Sequence, residues 1–547
     1  MTAKYSLFIL MICCCSSLRA QHFNLLKVIN QNGSAGIENF TLSSGKLFFT
    51  ATDTSHGNEL WVTDGTESGT MMLKDINPGM FGSSISNIAS VNNTLFFSAN
   101  NGSIGAELWI SDGTEAGTQL LKDINPGAIA GEISHFAPAL DLLLFAANEG
   151  TNGKELWGSD GTTVGTKMIK DISPGIGSSL PFNFTEFNGK VYFSAISSSG
   201  DEFWSTDGTS AGTQMIKDIN PGAGNSSPAD FIVYDNKLYF NADDGVNGKE
   251  LWVSDGTTAG TQLFKDINPG AGSCDFNYPF VFKDKLYFSA NDGTNGDELW
   301  ISDGTSSGTQ MLKNINTSGS STIQGWFVEY GDKLYFRADD GTHEQEYWFS
   351  DGTTAGTQML KDLNPSGDAF PAWPIVYKDK LYFQANDGNG RKMWVSDGTE
   401  AGTEIIMPPI APNNDPFDNP SGFVEFQGKL FFDADFNFAG EQLWTYEDTT
   451  ATDNDTTSVE LLESGDIGFV AFPNPVNEQL QIEFEQELKQ EMHLQVYDLM
   501  GRIIFEDEIS EGANSCQVNT RALQTGSYLL HLSNDYGSAV EHFVKIH

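Results

Sequence analysis

The sequence predicts an all-β protein: a β-propeller of nine four-stranded repeats, followed by a small C-terminal β-sandwich. Three observations predict the ring. The phrase ELWVSDGTTAGTQLFKDINPG, at Glu250 to Gly270, returns with small changes along most of the chain. Every copy divides into four short β-like runs separated by turn residues. The two ends of the array also complement each other.

The repeat is timed by its tryptophan, which falls at Trp61, Trp109, Trp157, Trp204, Trp252, Trp300, Trp348, Trp394 and Trp444. Successive spacings are 48, 48, 47, 48, 48, 48, 46 and 50 residues. In the fifth copy the four runs are 231–235, 237–242, 250–254 and 261–267. Asn236, DDGVNG and DGTTAG separate them, and NPGAGNSSP stands between copies. Glycine supplies positive φ in such turns, while Asp, Asn and Thr side chains bond nearby backbone N–H groups. The consecutive apolar stretches LYF and LWV call for burial on both faces of the sheet. Radially stacked blades provide that burial, and so would a solenoid.

The ends decide between them. Copy nine runs from Phe423 to Tyr446 and stops after its third strand, while Leu26 to Asn30 matches the fourth-strand segment Leu73 to Asn77. A ring sealed by pairing first strand with last removes two free edges. Nine blades exceed the usual four to eight, so two packed half-arrays are the alternative.

Two charged positions are written into the repeat. Glutamate precedes the tryptophan by two residues at Glu59, Glu107, Glu155, Glu202, Glu250, Glu298 and Glu346. Lysine follows it by thirteen at Lys74, Lys122, Lys170, Lys217, Lys265, Lys313 and Lys361. Copy eight changes both, to Lys392 and Met407. Their joint loss predicts an ion pair across strands three and four, contributing about 0.2–1 kcal/mol. The DGT turns lack the alternating acids of a calcium loop, so they read as turn-stabilising and, by position, resemble the Asp-box of sialidase propellers.

Composition bounds function. The chain has 547 residues, 29 basic against 73 acidic, and a formal net charge of −44. That field repels phosphate backbones, so nucleic acid is not an expected partner. Residues 1–20 read as a signal peptide: Lys4, an apolar run from Tyr5 to Cys15, then small residues up to Ala20. Leu10-Met11-Ile12-Cys13 is the alternative, a lipoprotein signal with a bulky residue before its cysteine. No later stretch reaches the length of a spanning helix. Once Cys13, Cys14 and Cys15 are removed, Cys274 and Cys516 remain, so no disulfide framework is expected. A monomer without cofactor or metal is expected.

The repeat resembles the ELWxxDGTxxGT repeat family of large exported bacterial proteins, over residues 21–446. That resemblance supplies a context and no mechanism. Beyond an acidic, Thr-rich linker at 447–467, residues 468–547 resemble the type A sorting domain of the type IX secretion system. Pro473-Asn474-Pro475, the turn from Tyr497 through Gly501 to Arg502, and Thr525-Gly526-Ser527-Tyr528 carry the likeness. It implies a β-sandwich, passage through the type IX machinery across an outer membrane, then cleavage and attachment to lipopolysaccharide or release.

No GxSxG, HExxH, Walker or CxxC motif is present. His22, His56 and His135 read as loop residues. A site is therefore sought where the repeat breaks. At the end of strand two, Ser98, Asn241 and Ser289 give way to Arg337, Gln384 and Asp433 in copies seven to nine, with His343, Arg391 and Lys392 in nearby loops. These six are the candidate ligand-binding residues, for an anionic or sugar ligand on one rim. The expected role is non-catalytic binding of glycan or protein. A secreted polysaccharide hydrolase or lyase, with Asp433 its one plausible acid, and a purely architectural component are the alternatives.

Overall fold

The structure, a computed structural model, describes residues 21–321, 323–408, 419–436, 440–448, 469–472, 476, 479–484, 488–498, 503–521, 523, 526–534 and 537–545. The expectations for residues 1–20, for 449–467, and for Pro473, Asn474, Pro475 and Gly501 lie outside them. Contacts divide the chain into two compact units, Met1–Ala451 and Thr452–His547.

Among the described residues, the first unit consists of nine four-stranded antiparallel sheets. Blade five is representative, with strands Ala229–Tyr234, Lys237–Asp243, Lys249–Ser254 and Gln262–Lys265. The central strands are buried on both faces: Leu238, Tyr239, Phe240 and Leu251 are wholly enclosed, and Trp252 nearly so. Trp252 packs across the blade boundary, in one cluster with Phe240 of its own sheet, Phe203 of blade four and Ile219 of the linker between them. Burying each such side chain contributes about 1.5–3 kcal/mol.

The ninth blade is assembled from both ends of the repeat region. Strands Ser421–Phe426, Lys429–Ala434 and Gln442–Asp448 are completed by Gln21–Lys27. Its register repeats that of a continuous blade. Leu443 pairs with Lys27 and Trp444 with Leu25, across a bulge, as Leu251 pairs with Lys265 and Trp252 with Leu263. The first strands of successive blades lie side by side around the whole circuit, blade nine against blade one included. The ring is closed, and the half-array alternative is set aside. Strand three of this blade runs to Asp448, so Glu447 and Asp448 belong to the sheet and not to the linker.

The DGTxxGT hairpin is a hydrogen-bonded unit. Asp255 Oδ1 accepts from the Thr257 N–H (2.9 Å) and hydroxyl (2.7 Å). The Gly260 N–H donates to Thr257 Oγ1 (3.0 Å), and the Thr261 hydroxyl donates to the Thr257 carbonyl (2.7 Å). Gly256 has φ +89°, and a Cβ on Gly260 would collide with the Asp255 carboxylate. Both glycines are therefore demanded by the turn.

The expected ion pair is not formed. Each glutamate instead holds the linker that leads to the next blade: Glu250 accepts from the N–H groups of Ile267 (2.6 Å) and Asn268 (3.2 Å). This is also why strand four stops at Lys265. Each lysine reaches into the next blade, with Lys265 Nζ donating to the Thr309 carbonyl (2.6 Å) and Lys217 Nζ to that of Thr261 (2.7 Å). The two losses in copy eight have separate causes. Copy nine has no DGT turn to receive a lysine, and copy eight lacks the DIN linker whose N–H groups the glutamate caps. In place of the missing link, Tyr382 (2.8 Å) and Lys380 (2.6 Å) of blade eight grip the Asp448 carboxylate of blade nine.

Among its described residues, the second unit has two sheets. One contains Phe469–Phe472, Gln479–Phe484 and Ser515–Asn519; the other contains Ile503–Ile509, Met492–Asp498, Gly526–Asn534 and Gly537–Lys545. Leu480, Ile482, Leu494, Val496, Leu530 and Leu532 fill the space between them, as the expected sandwich requires. Tyr528 joins that core, and Gly526 opens the strand that carries it. Cys274 and Cys516 are free thiols.

Candidate functional site at the blade nine–blade one seam

The antiparallel order puts the starts of all first strands, the ends of all second strands and the interblade linkers on one face. Every first strand carries a bulge there, and its bulged residue has a positive φ: Asn39, Asn87, His135, Asn183, Asp230, Tyr278, Trp326, Trp373 and Gly422. His135 is thus a strand residue, and so is His22 of the closing strand, contrary to the loop assignment.

Beside Gly422 the face opens into a cavity of 690 Å³. Glycine matters here, because a Cβ would press on the Phe40 ring at 3.3 Å. Trp373 forms one wall, and Asn419, Asp433, Glu441 and Glu38 supply polar atoms. Asp433 is buried and accepts the Ser421 hydroxyl (2.6 Å). Burial pushes its carboxyl up to about 7, with the Ser421 bond opposing and Glu441 adding to the rise. A second cavity, of 560 Å³, lies at the other ends of the strands between blades seven and eight. There the Tyr330 hydroxyl donates to the Asp379 carbonyl (2.8 Å).

Three of the six sequence candidates converge on the seam. Arg391 Nη1 donates to Gln384 Oε1 (3.0 Å), Gln384 Nε2 donates to Asn419 Oδ1 (3.2 Å), and Asn419 Nδ2 donates to Glu441 Oε1 (2.9 Å). This chain ends in the cavity that Asp433 lines. Arg337 is buried, donates to Gln324 and lies over the Phe370 ring at 5.7 Å. Desolvation lowers its pKa, with Tyr278 acting in the opposite sense.

His343 and Lys392 do not join the site. His343 Nδ1 bonds Asp340 (2.8 Å) within its own turn, as Asn247 does with Asp244 and His56 with Asp53. Lys392 is buried at the position the capping glutamates occupy in other blades. The basic rim suited to an anion is therefore replaced by a cavity with acidic walls.

Sequence reasoning missed Tyr278, Trp326 and Trp373, which lie half-exposed at 46%, 39% and 40%. A signal for two of them was present. The chain has eleven tryptophans, of which nine mark the repeat. The surplus pair is Trp326 and Trp373.

The fold defines a β-propeller with one indented face. Residues 470–546 match the family described as secretion system C-terminal sorting domain. The chain therefore carries the signal for export across the outer membrane, to the cell surface or the medium. No curated protein matches the chain. Among solved structures, a prolyl endopeptidase aligns at 12% identity and TM-score 0.37, over 65% of this chain and 55% of that one. Oligopeptidase B from Leishmania major aligns at 9% and 0.34, over 65% and 53%. A dihydro-heme d1 dehydrogenase aligns at 13% and 0.36, over 58% and 64%. The chain thus spans little more than half the length of the two peptidases.

Proposed function

We propose that the exported propeller is a non-catalytic carbohydrate-binding protein whose ligand enters the cavity beside Gly422. The observation that carries this reading is the combination in one 690 Å³ space of an indole wall, Trp373, with the amide of Asn419 and the acids Glu38, Glu441 and Asp433. An apolar face against C–H groups plus a few convergent polar atoms is what sugar recognition needs. The acids disfavour a uronate or sulfated ligand and leave neutral sugars, whose hydroxyls donate to carboxylates.

The purified chain should bind at least one of cellobiose, maltose, lactose and chitobiose in calorimetry. Trp373→Asn, which installs the residue three other blades use at that position, should weaken binding tenfold or more without changing the melting temperature. An intact chain that binds none of the four, or a variant that binds as well as wild type, refutes the reading.

A second reading, a glycoside hydrolase, is favoured by one observation. Burial holds the Asp433 carboxyl up to about 7, with Glu441 beside it, and a raised carboxyl near a second one is the pairing such catalysis uses. Release of reducing sugar that disappears in Asp433→Asn would select it.

A further inference from the structure

The bulge ring contains a cost that the fold does not explain. A left-handed backbone is tolerated by Asn, Asp, His and Gly, and is unusual for a bulky side chain. Blades one to five and nine comply, with Asn39, Asn87, His135, Asn183, Asp230 and Gly422. Blades six, seven and eight place Tyr278 (φ 54°), Trp326 (φ 59°) and Trp373 (φ 54°) there instead. Packing does not require them, since all three remain about two-fifths exposed.

They are consecutive around the ring and in register with one another. The Tyr278 ring lies against Gly325, the residue before Trp326, at 3.2 Å from an ideal Cβ there. Trp326 and Trp373 are 4.8 Å apart between ring centroids. Trp373 is the wall of the cavity at the seam. Blade seven even carries one more residue in this strand than its neighbours: Gln324 to Val328 spans what Asn277 to Phe280 spans in blade six. Strained backbone that persists without a packing gain marks a site where the side chain is used.

We propose that Tyr278, Trp326 and Trp373 form a continuous stacking path, so that the ligand is an extended neutral polysaccharide. One end of the chain occupies the seam cavity, and its following units lie across Trp326 and Tyr278. This rests on the carbohydrate reading of the cavity and adds the ligand's length and direction. Arg337 donates to Gln324 and Arg391 to Gln384, and the comparison with oligogalacturonates tests whether either recruits an anion.

The test measures calorimetric affinity of the full chain for cello-, malto- and chito-oligosaccharides of two to six units, with oligogalacturonates of equal length for comparison. Affinity for at least one neutral series should rise tenfold or more from two units to five, and the oligogalacturonates should bind more weakly. The double variant Tyr278→Asn, Trp326→Asn uses a residue native to this position in blades one, two and four, so folding is preserved. It should keep the affinity for the disaccharide and lose the gain with length. A wild-type affinity independent of length, or a double variant that retains the gain, overturns the path while leaving the cavity reading intact. Long chains that bind when disaccharides do not support the path and overturn the cavity. Preference for oligogalacturonates overturns the neutral assignment, and absence of binding to every probe overturns both.

Discussion

Gln442 is the place to test ring closure, because it stitches residues more than four hundred positions apart. Its Oε1 accepts from the N–H groups of Ile29 (2.8 Å) and Asn30 (3.2 Å), and its Nε2 donates to the carbonyls of Asn30 (2.9 Å) and Gly33 (2.9 Å). The side chain is fully buried. Gln442→Leu keeps the volume and removes all four bonds. Leaving a buried donor or acceptor unmet costs about 1–3 kcal/mol. The Ile29 N–H is buried, whereas Asn30 and Gly33 are partly open to water and recover some of the loss. About 2–4 kcal/mol is therefore expected, a large part of a typical 5–15 kcal/mol stability. Limited proteolysis should also release the Gln21–Lys27 strand earlier in the variant. Urea unfolding of the full chain, followed by tryptophan fluorescence, measures the effect, with the exposed Gln310→Leu as control. A Gln442→Leu midpoint equal to that of the control would show that the closing strand contributes nothing to the ring.

Two further outcomes are expected. In a double-mutant cycle on Glu250→Gln and Lys265→Met, the two losses should add within about 0.5 kcal/mol, because the partners are the linker N–H groups and the Thr309 carbonyl; coupling of 1 kcal/mol or more would restore the ion pair. For pH, burial pushes Glu59, Glu107, Glu202, Glu250 and Glu298 up to about 7 and Glu346 to about 8, against the bonds from their linkers. The folded state then binds more protons than the unfolded chain between the ordinary glutamate value near 4.5 and about 8, so stability falls as pH rises through that window. The turn aspartates such as Asp255, lowered by their Thr bonds, act in the opposite sense below about pH 4 and leave the window to the glutamates. Melting temperature should drop between pH 5 and pH 8, and a flat or rising profile contradicts the assignment.

The ring was legible because its information is periodic. Tryptophan spacing, turn residues and the orphan segment Leu26–Asn30 each constrain a whole blade, and the composite sheet follows from them. The ion pair was misread for a physical reason. A repeat shows which positions change together, but not whether they touch each other or two different partners lost at the same place. Met407 and Lys392 changed together because the ninth copy lacks the turn and the eighth lacks the linker. The bulge ring was illegible for a different reason. Its residues are left-handed only because strand one carries an extra residue against strand two, and sequence shows no register. Without that register, Tyr278 and Trp326 look like two more aromatics among β-strand residues. Gln384, Arg391 and Asp433 were found because they break a pattern, whereas Asn419 sits in a segment with no repeat to break.

The location of the cavity follows from how the ring is sealed. Eight blades are locked to their successors by the same devices: a DGT turn, a lysine reaching that turn, and a capped linker. A ring built only from those devices offers nine equivalent grooves and no reason for a ligand to prefer one. The devices fail together between blades eight and nine, where blade nine has no DGT turn and blade eight has neither the lysine nor the linker. At the nine–one seam, by contrast, Lys27 Nζ still donates to the Thr70 carbonyl (2.7 Å) and Gln442 caps the linker. Asp448, Tyr382 and Lys380 restore the bond between blades eight and nine on the far face. On the near face Gly422 and Asn419 stand where the turn-and-linker rules no longer dictate the residue. Closure by Gln442 therefore supplies the stability, and relief from the repeat supplies the space. The 690 Å³ cavity, with its indole wall and acidic edges, lies beside the junction where symmetry had to fail, and the aromatic path leads to it from the side on which blades six to eight depart from the Asn-bearing bulge.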